Sequence, residues 1–294
     1  MKNYNNCPIC NSSEFNQFID CKDYTASKET FTIVKCKSCD FAFTNPIPDE
    51  SKIGQYYESE EYISHSNTSK GIINTLYQMV RNYTIKNKVK LLRKYGSGNT
   101  LLDIGSGTGD FLNACKKSGL EVKGIEPSEI GRKQTLENFD IEVFDESKIE
   151  TLPEGKFDYI SMWHVLEHVY HLNKRIEEIS RILNENGTLI VAVPNLKSLD
   201  ANKYKEHWAA YDVPRHLYHF SPKNINNLMQ KHGFQVVKIL PMPFDSFYVS
   251  MLSEKYLNGK NNLIKAIYNG LLSNLKAGKD KWSSQIYIIK KATI

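Results

Sequence analysis

The 294-residue sequence has no run of about 18 consecutive apolar residues, so no transmembrane helix is expected. Its opening residues, Met1 to Cys7, lack the apolar core of a signal peptide. Neither sign of charge is in large excess, and the formal net charge is +5. So mild a balance does not call for nucleic acid, although it permits an acidic partner. Cysteine is sparse, and without an export signal the six cysteines point to metal ligation or free thiols rather than disulfides. The expectation is a cytoplasmic protein with one large domain and an appendage.

What the chain does have is a glycine loop between a strand and a helix. Thr100 to Ile104 reads as a strand, Gly105-Ser106-Gly107-Thr108-Gly109 as the loop, and Asp110 to Ser118 as a helix stopped by Gly119. Alternate glycines let the backbone turn sharply and approach a ligand. The dinucleotide fingerprint G-x-G-x-x-G does not fit, because its third glycine position holds Asp110. Asp103 and Asp110, flanking the loop, would repel a pyrophosphate and suit a ligand with an ammonium and a sulfonium. S-adenosylmethionine is such a ligand. Glu126 closes the next strand, Val122 to Ile125, at about the distance where a carboxylate meets ribose hydroxyls.

Between Thr100 and Asn195 the motifs LLDIGSGTGDFL, VKGIEPS, IEVFD, FDYISMWHVLEHV and GTLIVAVPN follow one another. In that order they resemble a class I S-adenosylmethionine-dependent methyltransferase. The resemblance implies an α/β fold with a Rossmann-like seven-stranded sheet in the order 3-2-1-4-5-7-6. It implies cofactor binding by Asp103, Gly105, Ser106, Gly107, Gly109, Glu126 and Asp145, the last receiving the adenine amino group. Strands are expected at Ile141 to Phe144, Phe157 to Trp163, Thr188 to Val193, Gln235 to Leu240 and Ser283 to Lys290. Trp163 and His164, at the carboxyl end of the fourth, should border the transferring methyl group.

Cys7-Pro8-Ile9-Cys10 and Cys36-Lys37-Ser38-Cys39 are two C-x-x-C knuckles, which read as one structural zinc site with four thiolates. Cys21 and Cys115 are left as ordinary thiols. The stretch from these knuckles through Asn45-Pro46-Ile47-Pro48 to Tyr56-Tyr57 and Tyr62 resembles the zinc-binding leader of bacterial glycan- and sugar-pathway methyltransferases. Zinc ribbon 1–50, connecting helical segment 51–98 and methyltransferase domain 99–294 are the expected divisions. In the connecting helix, Arg81, Lys86, Lys88, Lys90, Arg93 and Lys94 are expected to form a solvated face.

An acceptor loop, 195–220, carries His216 and His219 beside Arg215. A hydroxyl acceptor needs a base near neutral pKa, and these histidines with His168 are the catalytic candidates, Arg215 holding an acidic substrate. The segment His164-Val165-Leu166-Glu167-His168 also resembles the EVLEH segment of quinone and the EVIEH segment of small-RNA methyltransferases, in which a divalent cation can sit at the Glu-His pair. His164 replaces their first glutamate, which weakens the case for a hard ion at Glu167, His168 and His216. A helical lid insertion, 241–282, precedes the last strand and reads as a lid, a dimer face or a peripheral membrane contact aided by Lys276, Lys279 and Lys281. The expected reaction is methyl transfer to a small acceptor, a hydroxyl or carbon of a sugar, glycan precursor or related metabolite. RNA as acceptor, methylated at a 2′-hydroxyl or a base, and a cofactor-binding module without turnover are the other readings.

Overall fold

The computed structural model describes residues 1–57, 72–260 and 262–292, with backbone alone for 72–77. Tyr62 and the side chains of Ile72, Ile73, Leu76 and Tyr77 lie outside the described residues. The strands are β1 (Phe15–Lys22), β2 (Thr30–Cys36), β3 (Ala42–Thr44), β4 (Thr100–Ile104), β5 (Glu121–Ile125), β6 (Val143–Phe144), β7 (Phe157–Trp163), β8 (Leu183–Pro194), β9 (Tyr218–His219), β10 (Phe234–Pro241) and β11 (Ser284–Lys291). The α-helices are α1 (Ile72–Tyr95), α2 (Asp110–Lys117), α3 (Glu129–Phe139), α4 (Leu172–Ile182), α5 (Leu199–Tyr204), α6 (Pro222–Lys231), α7 (Asp245–Asn258) and α8 (Leu263–Lys276).

Seven strands form one sheet in the order β6-β5-β4-β7-β8-β11-β10. Neighbours are parallel as far as β8; β11 runs against both β8 and β10, so it alone is reversed. This is the expected order 3-2-1-4-5-7-6. The apolar run of β8 explains its central place: Leu189 to Val193 are almost inaccessible to solvent, as a strand covered on both faces requires. Local chemistry sets the helix starts. Ser128 caps α3 by accepting from the Gly131 amide, and Ser221 with Asn224 makes a capping box ahead of Pro222 in α6. β8 begins at Leu183, directly after α4, earlier than the apolar run alone suggests.

The leader's three antiparallel strands gain a fourth from far along the chain. β9 pairs with β3, placing Ala42 opposite His219 and Phe43 opposite Tyr218. The stretch 195–220 is thus built from α5, two short 3-10 turns and β9 rather than open loop. Phe41, Phe43 and Ile47 are fully buried and belong to the same core as Met162, Val191, Leu217 and Phe220. Each such side chain contributes about 2 kcal/mol on burial, so the leader is fastened to the large sheet by apolar packing as well as by chain connectivity. Arg215, 2% exposed, adds a polar clamp: its guanidinium donates to Asp23 and the Tyr56 carbonyl of the leader and to Asp212 of its own segment. Both Arg215 and Asp23 are thereby neutralised inside the protein. This corrects the expectation that Arg215 is free to hold an acidic substrate.

The four knuckle thiols converge as read. Cys7 Sγ lies 3.5 Å from Cys39 Sγ, and Cys10 Sγ 3.5 Å from Cys36 Sγ. All four sulfurs fall within 4.8 Å of one another. A tetrahedron with Zn–S bonds of about 2.3 Å has edges of about 3.8 Å, so the cluster fits Zn2+ with no ligand position left over.

Candidate active site

The carboxyl end of β4 opens onto the glycine loop. Gly105, Gly107 and Gly109 all have positive φ, at 76°, 56° and 78°, the left-handed region that glycine occupies without strain. Side chains are excluded at two of them for a second reason. A Cβ on Gly105 would lie 2.3 Å from Val165 Cγ2, and one on Gly109 2.3 Å from Thr135 Cγ2. At Gly107 a Cβ would meet nothing within 4 Å, so this turn of the loop faces open space. Glu126 is tied to the same turn: its carboxylate accepts from the Gly107 amide at 2.8 Å and the Ser128 amide at 2.9 Å. The carboxylate is fixed by backbone donors, and the remaining lone pairs can receive a ligand's hydroxyls.

Asp103 lies beneath the loop, 3% exposed, and accepts from Ser161 Oγ at 2.6 Å. Burial pushes its carboxyl up to about 7, against the opposing effects of the Ser161 hydrogen bond and the Lys88 charge. Lys88 is a finding that helical periodicity did not supply. Its ammonium sits 4.2 Å from the Trp163 ring centre, inside the site rather than on a solvated face. Burial lowers the Lys88 pKa, while Asp103 and Asp245 act to raise it. Arg81 also leaves the solvated face and pairs with Asp110. Of the two acids that flank the loop, Asp110 is therefore already neutralised.

Asp145 is exposed and stands at the end of β6. Its carboxylate accepts from the Ser147 amide at 2.9 Å and so caps the 3-10 turn Glu146–Thr151. Ser106 Oγ and Trp163 Nε1 are buried polar atoms with no hydrogen-bond partner. Such orphans cost free energy unless a ligand or water satisfies them. Ser106 lies in the glycine loop itself, and Phe111 meets the Trp163 ring edge-on at 5.7 Å.

After β7 the chain turns sharply through His164, whose φ is 57°. Two carboxylates hold this strained residue. Its Nε2 lies 2.9 Å from Asp245 at the start of α7, and its Nδ1 lies 3.4 Å from Glu167. Burial alone would lower the pKa of His164, but the two acids raise it to about 10. His164 is thus a permanent cation between the sheet and the helical insertion at neutral pH.

Glu167 is fully buried, and neither carboxylate oxygen has a hydrogen-bond partner. One ligand atom from each of Glu167, His168 and His216 falls within a span of 4.8 Å. The imidazoles of His168 and His216 meet edge to face, 4.6 Å between centres. His168 Nδ1 lies 3.0 Å from the Arg215 carbonyl, and His216 Nδ1 lies 2.9 Å from the Ala210 carbonyl. A carbonyl only accepts, so each Nδ1 is assigned the hydrogen and each Nε2 keeps its lone pair. Tyr57 Oη, from the leader, stands 3.0 Å from His168 Nδ1. Burial, aided by the nearby His216, holds His168 down at about 4.

His219 is placed differently. On β9 it faces Thr44, whose hydroxyl gives its single hydrogen to the His216 carbonyl at 2.9 Å. His219 Nε2, 3.1 Å from that hydroxyl, must then donate to it, so this nitrogen carries a proton and is no base. The structure gathers His168 and His216 around Glu167 and turns His219 toward the leader.

A largely parallel sheet with one reversed strand, a glycine loop after β4 and an acid closing β5 defines an α/β protein that binds its ligand at the carboxyl ends of the strands. Residues 77–239, more than half of the chain, match the family model described as a methyltransferase domain. The chain belongs to the methyltransferase-domain family and is a methyl-transferring enzyme. It is 29% identical over 100 residues to a ubiquinone/menaquinone biosynthesis C-methyltransferase of Campylobacter jejuni; the match covers 31% of this chain and 43% of that relative, less than half its length. Among solved structures it is similar to a SAM-dependent methyltransferase from Archaeoglobus fulgidus, with a TM-score of 0.50 and 20% identity, covering 72% of this chain and 94% of the other. It is also similar to magnesium protoporphyrin IX methyltransferase from Synechocystis PCC 6803, with a TM-score of 0.55 and 14% identity over 83% of this chain and all of that one. At such identities the likeness to solved structures speaks for the fold. The family match includes neither the zinc leader nor the α7–α8 hairpin.

Proposed function

We propose that this enzyme moves the methyl group of S-adenosylmethionine to a hydroxyl of a small polar acceptor, a sugar or sugar-bearing precursor being the class it suits. The observation that carries this reading is the Glu167, His168 and His216 group beside the carboxyl end of β7. Two imidazoles with free Nε2 lone pairs next to a buried carboxylate can take a proton from an alcohol and hold it. When bound, the cofactor supplies an electrophilic methyl on a sulfonium and leaves as the neutral thioether. Glu126 holds the ribose hydroxyls, and Asp103 faces the cationic end. The Ser106 hydroxyl and the Trp163 indole complete the pocket with their unpaired donors. His216 Nε2 accepts the acceptor's proton, and Glu167 stabilises the imidazolium that results. Four leader features, Tyr57, Thr44, Asp23 and the zinc cluster, keep the histidine segment in place.

The same three side chains support a second reading, a divalent cation that binds the acceptor oxygen. What favours it is the Glu167 carboxylate, ion-paired with His164 but without a hydrogen bond, together with carbonyl-oriented imidazoles, the arrangement in which histidine ligates metal. Metal content separates the two. About one equivalent of zinc per chain leaves His216 as the base. A second equivalent that disappears in Glu167→Gln supports the cation. For the main reading the test is calorimetric titration with S-adenosylmethionine, followed by a radiolabelled-methyl screen of sugars and nucleotide sugars. His216→Ala should keep cofactor affinity within about twofold and lose at least 100-fold in turnover. Absence of cofactor binding by the wild type would sink the proposal.

A further inference from the structure

Helix α8 is built inside out. A helix packed on a protein in water normally turns its large apolar residues inward and its polar ones outward. Here α8 buries Ala266, Asn269, Gly270 and Ser273. Helix α7 meets them with Ser246 and Glu254, while its Val249, Leu252 and Tyr256 pack into the core around Trp208 and Tyr211. The buried side is a polar network: Asn269 donates to Glu254 at 2.9 Å and to Tyr204 Oη at 2.8 Å, and Ser273 donates to Asp200 at 3.0 Å. The helices approach closely, since a Cβ on Gly270 would lie 2.7 Å from the Phe247 ring. The large apolar side chains face out. Ile264 is 83% exposed and Leu275 82%, with Ile267, Tyr268 and Leu271 between them at 46–64%. They recur at helical spacing and form one stripe along α8.

The rim of this stripe is cationic. Between Gly259 and Lys281 the chain carries Lys260, Lys265, Lys276, Lys279 and Lys281, all exposed, against a single acid, Asp280. We infer that the outward face of the α7–α8 hairpin docks on an anionic lipid surface, with α8 lying in the plane of the interface. Fourteen residues at about 1.5 Å rise give about 21 Å of helix, a length that lies in the interface rather than crossing it. No helix among the described residues is long and apolar enough to span a membrane. A second copy of the chain is a poorer occupant, because a two-fold contact through this stripe would bring its lysines toward one another. The hairpin begins at Asp245, the partner of His164, so the docked face connects directly to the edge of the active site. This inference stands on the packing and charge of the hairpin and does not depend on the methyl acceptor.

The test is sedimentation of the full chain with large vesicles of phosphatidylcholine alone or mixed with phosphatidylglycerol, at 0.1 M and 0.5 M salt. The expected result is binding to the anionic vesicles that weakens with salt and is weak or absent on phosphatidylcholine. Ile264→Glu and Leu275→Glu should each reduce it about tenfold. Both side chains are more than four-fifths exposed, so their melting temperatures should match the wild type. Lys276→Glu with Lys279→Glu should reduce binding to anionic vesicles alone. Failure of the wild type to sediment with anionic vesicles overturns the inference. So does binding unchanged by Ile264→Glu, or a soluble dimer that Ile264→Glu dissociates in a protein indifferent to vesicles.

Discussion

Protonating Asp103 should weaken cofactor binding, and burial sets the pH at which this happens. Removing water lifts the carboxyl to about 7, from an ordinary value of 3.8. A ligand with a cationic end binds the ionised form, so its affinity follows the ionised fraction. At pH 8 that fraction is near one, and at pH 6 it is about one-tenth. The dissociation constant for S-adenosylmethionine should therefore rise about tenfold from pH 8 to pH 6, or about 1.4 kcal/mol. Near pH 6 binding should release close to one proton, measurable by repeating the calorimetry in buffers of different ionisation enthalpy. Asp103→Asn should bind more weakly at pH 8 and show no such slope. The unliganded protein carries the same linkage. Between about pH 4 and pH 7 the native carboxyl keeps a proton that the unfolded chain has lost. The native state then binds more protons, so its stability falls as pH rises through that window. An affinity constant unchanged within twofold from pH 6 to pH 8, with no proton released, would refute the placement of Asp103 against the cofactor's positive charge.

Removing zinc, by a chelator or by Cys39→Ser, should lower the melting temperature by about 10 °C and reduce turnover far more than cofactor affinity, because β3 carries β9 and the histidine segment. Differential scanning fluorimetry and calorimetry on one sample would check this, and unchanged turnover would count against it. Gly109→Ala should cost about 3 kcal/mol, combining a left-handed φ with the Thr135 clash. Gly155→Ala, with φ of 59° and no neighbour within 4 Å, should cost about 1 kcal/mol in the same urea titration. Arg215→Met leaves Asp23 buried without its cation and should destabilise by about 4 kcal/mol. A substrate-holding arginine would instead raise KM at unchanged stability.

The parts of this enzyme legible in the sequence are those written in short-range pattern. The glycine loop, the Ser128 and Ser221 caps, the apolar run of β8 and the two cysteine knuckles all depend on residues a few positions apart. Their order along the chain carries the sheet order through the resemblance to the methyltransferase fold. Contacts between distant segments were not legible. Arg215 looks free until Asp23, 192 positions away, is folded against it. Lys88 and Arg81 sit at helical positions compatible with solvent, and only the approach of Trp163 and Asp110 turns them inward. His216 and His219 are three residues apart and alike in type. What separates them is a hydroxyl on β3 that fixes the proton of one. The hairpin was legible as two helices but α8 not as inverted, since period identifies a stripe without saying which side of it meets the protein.

β9 has a consequence for how the chain is made. The zinc ligands are complete once Cys39 has emerged from the ribosome, whereas the strand that closes the leader's sheet is Tyr218–His219. At ordinary synthesis rates of about 5–20 residues per second, the interval is roughly ten to forty seconds. A nascent leader that takes up zinc at once would hold it throughout with the edge of β3 unpaired. The ion thus serves first as a placeholder, keeping the earliest part of the polypeptide in register until the late strand arrives to seal it.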